Sequence, residues 1–260
     1  MNESYDVKGR VRRIEQRRPG TRGLEYLPDH RTFDVEFSPS GKIIQLTSYT
    51  GAKSVRGYER FSYDSADRLT RSVELDSQET EKTITEFAYN ATGFRLGSIT
   101  RDFLGTVIRR SAEEYAGNIL VPDVSLRGDG SMIRRKEFDY VEGKLLKSTC
   151  VYFDAKGEVV ERWVSSYDGN VRLAETFGLK PDGTPLGDGR YRYQYDEQGR
   201  ASQILSFNDF VSESTPNHIC EFAYSDDKFG NWIERREDSR FESESKWRET
   251  ITTRKLSYYD

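Results

Sequence analysis

The chain has 260 residues with 40 basic and 44 acidic side chains, and its net charge of −4 argues against a dedicated nucleic-acid-binding protein, which usually carries a basic stripe. Aromatic residues make up 13% of the sequence, which argues against an intrinsically disordered chain. The 16 Tyr, 21 Gly and only two Met favour β-sheet with many turns over a helical bundle.

A repeat of about 26 residues runs through the chain, marked by an aromatic residue before each predicted turn. After a first gap of 32 residues, successive anchors are 25 to 29 residues apart. We assign the long first gap to an insertion over residues 17–32, predicted to be a surface loop. The anchors are Tyr5, Phe37, Tyr63, Tyr89, Tyr115, Tyr140, Tyr167, Tyr195 and Tyr224.

The residues that follow the anchors have the chemistry of tight turns. Glycine lies four residues after the anchor at Gly9, Gly41, Gly93 and Gly199, which predicts a type I turn followed by a residue at positive φ, the G1-bulge hairpin. Asp67 occupies the same position in its own repeat. Basic residues then follow the turns, and we interpret them as partners of the turn aspartates in preference to an anion-binding rim. They are Arg10, Lys42, Arg68, Arg95, Lys144 and Arg200.

A second turn falls midway through many repeats, and alternating apolar and polar residues flank the turns. The short links predict antiparallel neighbours, because parallel strands need long crossovers. We therefore predict an all-β fold of repetitive antiparallel β-hairpins forming a long coiled or barrel-like sheet, in a single domain over residues 1–260. Residues 231–260 are predicted to form a charged terminal hairpin, with a helix over Arg235–Arg254 as the alternative. The final KLSYYD is predicted to pair with another strand and close the sheet.

The repeat has the form F-x-Y-D-x-x-G-R-L, seen in YDVKGRV (residues 5–11), FSYDSADRL (61–69) and YQYDEQGRA (193–201). Looser copies are FDYVEGKL (138–145) and FAYSDDKFGNW (222–232). This motif resembles the YD repeat of the Rhs family of bacterial proteins. The resemblance implies a β-sheet architecture, which in that family forms large shells that enclose a toxin. The chain is far shorter than such shells and has no evident toxin domain. The resemblance therefore implies a separate immunity protein that neutralises a secreted toxin.

Residues with catalytic or metal-binding potential have structural interpretations. His218 and Cys220 share a strand face, but a zinc site needs about four ligands. Arg127-Gly128-Asp129 has the sequence of an adhesion motif, but it falls in a predicted hairpin turn, where Gly-Asp is ordinary. Sequence offers no means of choosing a catalytic pair among the carboxylates, most of which lie in turns. We predict no catalytic, cofactor-binding or metal-binding residue, and no enzyme. The carboxylates considered are Asp64, Asp154, Asp168, Asp182, Asp196, Glu113, Glu114 and Glu175.

Aromatic residues exceed what one buried sheet face requires, and Trp, Tyr and Arg dominate binding hot spots. We predict a non-enzymatic module that binds another protein, with a toxin domain neutralised by steric blockade as the favoured partner, and no nucleic-acid or membrane partner. The alternatives are a structural fragment of a YD-repeat shell and a carbohydrate-binding protein. The predicted contact residues are Trp163, Trp232, Trp247, Tyr258, Arg235 and Arg236.

The N-terminal sequence MNESYDVKGRVRR has no apolar segment, and the chain has no run of 18 apolar residues. Its two cysteines, Cys150 and Cys220, are too few for a disulfide framework. From these features we predict a cytoplasmic localisation.

Overall fold

A computed structural model describes residues 7–22, 25–50, 54–117, 119–208, 215–242 and 247–259. The regular structure in these residues is β-strand, and none of them forms a helix that is long and apolar enough to cross a membrane. The strands are β1 (Val11–Arg22), β2 (Glu25–Phe37), β3 (Ile43–Thr50), β4 (Ser54–Tyr63), β5 (Leu69–Asp76), β6 (Glu81–Tyr89), β7 (Arg95–Asp102), β8 (Val107–Ala116), β9 (Ile119–Arg127), β10 (Met132–Val141), β11 (Lys144–Phe153), β12 (Val159–Tyr167), β13 (Leu173–Leu179), β14 (Pro185–Tyr195), β15 (Ala201–Phe207), β16 (His218–Asp226), β17 (Trp232–Phe241) and β18 (Arg248–Tyr258).

The predicted all-β class of repeated antiparallel hairpins is confirmed, and the helix considered for Arg235–Arg254 is wrong, because that segment supplies β17 and β18. In β18 the buried residues Thr252 and Arg254 alternate with exposed neighbours, which is a strand pattern. Residue contacts divide the chain into two compact units. Compact unit 1 comprises Met1–Ile84, Phe222–Asp238 and Arg248–Asp260, and compact unit 2 comprises Thr85–Glu221 and Ser239–Trp247. The prediction of a single domain over residues 1–260 stays a prediction.

In compact unit 1, strand β1 is paired on both sides. Ile14 lies opposite Val35 of β2 and opposite Leu256 of β18. The predicted pairing of the C-terminal segment is thus confirmed, since the first and last strands are antiparallel neighbours. Strands β2, β3, β4 and β5 continue the sheet in sequence order. The hydrophobic core of this unit lies at the β1–β2 junction, where Val11, Ile14, Val35 and Phe37 are buried together.

The insertion over residues 17–32 extends the β1–β2 hairpin. Its backbone continues both strands, with Arg18 opposite His30 and Thr21 opposite Tyr26. The register shifts between Gln16 and Arg17 and again before Gly20, so the strands carry irregularities. The surface loop predicted for this segment is therefore wrong. The two X-Pro steps suggested a break, but bulged strands tolerate proline.

In compact unit 2, each described strand from β7 to β16 pairs with the next strand in the sequence. Bulges shift the register within individual pairs. Few large apolar side chains are buried there. Phe207 is 2% exposed, and the guanidinium carbons of Arg190 and Arg192 each lie 5.1 Å from its ring centre. Glu175 accepts hydrogen bonds from both arginines at 2.8 and 3.0 Å. Cross-strand polar side chains thus cover Phe207, a buried aromatic residue of this unit.

A β-bulge marks the anchor aromatic of several repeats. Gln194 lies opposite Gln203, whereas Tyr195 lies opposite Ala201, so the register shifts by one residue at the anchor. Gly199 then has a φ of 80°, which only glycine adopts without strain from a Cβ. Asp67 occupies the same position at a φ of 62°, as predicted. The predicted G1-bulge turn is confirmed, and the same register shift recurs at the anchors Phe37, Tyr63, Tyr140 and Tyr167.

The aspartate after the anchor organises the turn. Asp196 Oδ1 accepts hydrogen bonds from the backbone amides of Gln198 at 3.0 Å and Arg200 at 2.8 Å. Arg200 Nε donates to Asp196 Oδ2 at 2.8 Å. Asp64 with Arg68, and Asp168 with Arg172, repeat this arrangement. The interpretation of the basic residues as partners of the turn aspartates is confirmed for Arg68 and Arg200, whereas Arg95 pairs with the strand residue Glu113.

The anchor tyrosines Tyr63 and Tyr195 also connect their repeats to the preceding ones. Tyr195 donates its hydroxyl to the carbonyl oxygen of Leu173 at 2.8 Å, and the guanidinium of Arg172 lies 4.7 Å from its ring centre. Tyr63 makes the same contact with Ile43, beneath the ammonium of Lys42. The tyrosine, the aspartate and the basic residue of the motif therefore serve the architecture of the sheet.

Candidate partner-binding site

Two of the predicted contact residues lie together in a buried polar cluster of compact unit 1. Trp232 is flanked by Arg235, whose guanidinium carbon lies 5.7 Å from the indole centre, and by Arg254 at 3.5 Å. Arg235 is 8% exposed and Arg254 is 7% exposed. Arg254 Nε donates to Gln16 Oε1 at 2.9 Å. These side chains pack against their own unit and offer little surface to a partner.

Tyr258 lies in a separate network of compact unit 1. Its hydroxyl donates a short hydrogen bond to Asp227 and accepts one from Asn231 Nδ2 at 3.1 Å. Burial, reinforced by the bond to Asp227, raises the pKa of the Tyr258 phenol. Asn231 also exchanges two hydrogen bonds with the backbone of Lys8, at 2.5 and 2.9 Å. Asn231, which is hydrogen-bonded to both Lys8 and Tyr258, therefore ties the N-terminal turn and β18 to the turn before β17.

Arg236 and Trp163 occupy two further places. Arg236 is half-exposed, and its Nε lies 3.0 Å from Asp238 and 2.8 Å from Glu249. Trp163 lies on β12 opposite Gly178 of β13. Its ring atom Cζ2 would be 3.2 Å from a Cβ at position 178, so the indole covers the backbone of this glycine. Trp163 is thus a packing residue on the sheet.

Two exposed aromatic residues of compact unit 2 lie at the ends of neighbouring strands, with Phe241 ending β17 and Trp247 directly preceding β18. Trp247 is 42% exposed, and the guanidinium carbon of Arg240 lies 4.9 Å from its ring centre. Phe241 is also 42% exposed and stacks on His218, with 4.2 Å between ring centres and 25° between planes. We refer to His218, Arg240, Phe241 and Trp247 as the terminal aromatic cluster.

Backbone hydrogen bonds hold the Phe241 and His218 side of this cluster in place. Glu242 N donates to the carbonyl oxygen of Asn217 at 2.8 Å, and Asn217 N donates to the carbonyl oxygen of Ser206 at 2.9 Å. The end of β17 is therefore attached to the segment that precedes β16, and through it to β15. An arginine over an indole is a cation–π contact worth about 0.5–1 kcal/mol at an exposed site. The arrangement presents preorganised aromatic and guanidinium surface to solvent.

The sequence identified one member of the terminal aromatic cluster, Trp247, and missed the other three. His218 was considered only as a metal ligand with Cys220, whose sulfur lies 3.7 Å from His218 Nε2. Among the residues that the structure describes, no three His, Cys, Asp or Glu side chains form a group that could hold a metal ion. The usable signal was the position of Phe241 and Arg240 at the end of the terminal charged strand, where the repeat pattern stops.

Most of the considered carboxylates stabilise turns or strand pairs. Asp64 and Asp168 accept backbone amides and an arginine, and these hydrogen bonds hold the pKa of both carboxyls below the usual range. Glu113 accepts hydrogen bonds from Arg95 and from the hydroxyl of Tyr115. Such carboxylates are engaged in structure, which leaves little chemistry for them to perform.

A carboxylate that the sequence did not single out lies in a pocket of compact unit 1. The pocket has a volume of about 320 Å³, and Glu59 and Glu74 line it from neighbouring strands, where they are directly opposite. Burial raises the pKa of the Glu59 carboxyl; a hydrogen bond with Ser72 opposes this shift, and the Glu74 charge adds to it. Perturbed carboxyls in clefts mark candidate ligand sites, so this pocket is a second candidate. Arg56, Tyr58 and Lys82 also line it.

No protein-family model and no curated protein matches the chain. Among solved structures, it is similar to a porin-like protein from Bacteroides uniformis ATCC 8492, with 11% identity and a TM-score of 0.51 over 96% of this chain and 98% of that one. It is weakly similar to TcdB2-TccC3-Cdc42, at 9% identity and a TM-score of 0.23, over 86% of this chain and 16% of that one. A Photorhabdus luminescens Tc holotoxin pore gives a TM-score of 0.20, with 8% identity over 88% of this chain and 19% of that one.

These likenesses bear on two predictions. The likeness to the porin-like protein contradicts the predicted cytoplasmic localisation, which is wrong. That prediction used only the absence of apolar runs and the small number of cysteines, and neither feature describes an all-β architecture. The TM-scores with the toxin structures are too low to establish a family, so membership of the YD-repeat family stays a prediction. The likeness at a TM-score of 0.51 concerns the fold alone.

Proposed function

We propose that this protein is a non-enzymatic binding protein whose partner is another protein, bound through the terminal aromatic cluster. The observation that carries the proposal is a pair of exposed aromatics, Phe241 at the end of β17 and Trp247 directly before β18, each with a side chain against its ring. Large aromatic residues that remain exposed while held in a fixed orientation are the usual anchors of protein interfaces.

Preorganisation strengthens this argument. Ordering a long side chain at an interface costs about 0.5–1.5 kcal/mol, and that cost falls if the side chain is already held. Arg240 lies over Trp247, and Phe241 lies against His218, before any partner arrives. The engaged state of the turn carboxylates supports binding without turnover.

The YD-like motifs indicate which class of protein the partner belongs to. Because they resemble the repeats of toxin-enclosing proteins, we propose a toxic protein domain as the partner, neutralised by steric blockade. A toxic domain bound at the terminal aromatic cluster would be inhibited by coverage of its own active surface, with no chemical change to either protein.

Affinity capture from an extract of the native host tests this function. The full chain and the variant Trp247→Ala are compared, with Val160→Ala as the matched control, because Val160 is also half-exposed on a strand of compact unit 2. We expect a defined protein to be captured by the full chain and by the control, and to be lost with Trp247→Ala. Equal capture by all three forms would refute the site.

The pocket around Glu59 favours a second candidate function, carbohydrate binding. Carboxylates, a tyrosine and basic side chains around about 320 Å³ supply hydrogen-bond groups for a small polyhydroxylated ligand. A glycan screen with the full chain and with Glu59→Gln tests it. We expect binding that the variant reduces, and a screen without any bound glycan would exclude the candidate.

A further inference from the structure

The turn between β7 and β8 departs from the other turns in the composition of its tip. Asp102 Oδ1 accepts the amides of Leu104 at 3.0 Å and Thr106 at 2.8 Å, and Gly105 has a φ of 83°. This is the common turn geometry of the chain, but its tip is Phe103-Leu104. The corresponding tips elsewhere are small or polar apart from one phenylalanine: Ser65-Ala66, Ser77-Gln78, Ala91-Thr92, Ala155-Lys156, Gly169-Asn170, Glu197-Gln198 and Lys228-Phe229.

The two apolar residues at this tip have no structural explanation. Phe103 is 70% exposed and Leu104 is 75% exposed, the highest values for large hydrophobic residues among those that the structure describes. Phe229, the other apolar tip residue, packs against Tyr258 with 4.9 Å between ring centres. Since the same backbone forms with Ser77-Gln78 at the equivalent positions, the turn itself requires neither Phe103 nor Leu104.

Basic side chains surround the hairpin below this tip. Arg101 lies opposite Val107, and the exposed residues Arg109 and Arg110 lie opposite Thr100 and Ile99. At about 3.3 Å per residue, the register places the three arginines roughly 7–13 Å from the level of Phe103 along the strands. The acidic residue of the turn, Asp102, is engaged with backbone amides. Exposed Ile108, at 43%, extends the apolar surface between the tip and the arginines.

We propose that the β7–β8 hairpin is an anchor for an anionic lipid surface. Phe103 and Leu104 enter the interfacial region, and Arg101, Arg109 and Arg110 contact the phosphate headgroups. Interfacial segments bury their apolar face about 5–10 Å deep, and the separations of Arg101 and Arg109 from the tip, roughly 7 and 10 Å, fall in this range. The charge of these arginines favours an anionic bilayer over an apolar pocket on a protein. This inference is independent of the terminal aromatic cluster, and it replaces the sequence-based expectation of no membrane partner.

Co-sedimentation of the full chain with lipid vesicles tests the anchor. The vesicles contain phosphatidylcholine alone or phosphatidylcholine with phosphatidylglycerol. The variant F103S/L104Q copies the tip of the Asp76 turn and so keeps the backbone hydrogen bonds. We expect the full chain to partition onto the anionic vesicles, and the variant to partition at least about tenfold less, because two apolar side chains are removed.

A charge variant and a control separate the two contributions. R109Q/R110Q is expected to lose about fivefold of the partition per arginine on anionic vesicles, and concentrated salt is expected to do the same. Lys156→Gln removes a charge from the tip of the β11–β12 turn and is expected to leave the partition unchanged. The proposal is overturned if the full chain does not sediment with anionic vesicles, or if F103S/L104Q sediments equally well. If F103S/L104Q loses a protein that the full chain captures, and no form binds vesicles, the tip contacts a protein partner and the proposal is overturned.

Discussion

The turn after Tyr195 allows a direct test of why aspartate follows the anchor. Asp196 accepts two backbone amides and the Nε of Arg200. Asp196→Ala removes all three acceptor contacts. Asp196→Asn keeps a side-chain oxygen for the amides but removes the ion pair. The chain supplies the precedent, because Asn90 Oδ1 accepts the amides of Thr92 at 3.1 Å and Phe94 at 2.8 Å in the same geometry.

The structure sets the size of each effect. Loss of a side-chain cap for backbone amides costs about 0.5–2 kcal/mol. The ion pair lies near the surface, with the Arg200 and Asp196 side chains 23% and 26% exposed, and such pairs contribute about 0–1 kcal/mol. We therefore expect Asp196→Ala to lower the free energy of unfolding by about 1–3 kcal/mol, and Asp196→Asn by at most about 1 kcal/mol.

Urea denaturation followed by tryptophan fluorescence measures both values, and its pH dependence supplies a second readout. Burial raises the pKa of the Asp196 carboxyl, but the Arg200 side chain and the turn amides outweigh it, so the pKa is lowered. A lowered carboxyl pKa contributes stability above the unfolded pKa of about 3.9, and this stability is lost as the pH falls through the folded pKa. The advantage of the native chain over Asp196→Asn should thus disappear in acid. Equal destabilisation by the alanine and asparagine variants would refute the role assigned to the amide contacts.

Three further predictions follow from the sheet. Gly128→Ala places a Cβ 1.8 Å from the carbonyl oxygen of Val107, so it should destabilise the chain by about 1–3 kcal/mol, the cost of overpacking, in urea denaturation; an unchanged midpoint would contradict the close approach. Glu59→Gln removes a carboxyl whose pKa is raised by burial and by Glu74, so it should stabilise the chain at neutral pH by about 0.2–1 kcal/mol. This gain should vanish as the pH falls below the unfolded pKa of the carboxyl, and a loss of stability at pH 7 would argue against the prediction. Tyr195→Phe removes the hydroxyl contact with the preceding repeat and should cost about 0.5–1.5 kcal/mol by the same assay, and no measurable loss would mean that the contact does not join the repeats.

The fold was predictable because the repeat combines two local rules. Gly199 and Asp67 occupy a position that requires positive φ, and the alternation around them sets strand faces. That KLSYYD pairs with another strand was predicted because an end strand of a sheet needs a partner, and the structure identifies that partner as β1. The extension of β1 and β2 through residues 17–32 did not follow, because proline suggested a break and bulged pairing is not encoded in alternation.

The candidate site was less predictable, because exposure depends on tertiary neighbours. Trp232, Arg235 and Trp247 were all predicted contact residues in the charged terminal stretch. In the structure, Trp232 and Arg235 lie in a buried cluster, whereas Trp247 is exposed beside Arg240. Tyr258 carries the motif of an anchor, but its hydroxyl is engaged by Asp227. Contacts between residues distant in sequence decided each case, and repeat spacing does not contain that information.

Calorimetric titration of the captured partner tests the central claim, that the terminal aromatic cluster binds a protein. The native chain, Trp247→Ala and Val160→Ala are compared at equal salt. We predict that Trp247→Ala weakens the Kd by about 30-fold or more, as expected for a hot-spot residue worth about 2 kcal/mol, and that Val160→Ala changes it by less than about twofold. Equal Kd values for the native chain and Trp247→Ala would contradict the claim.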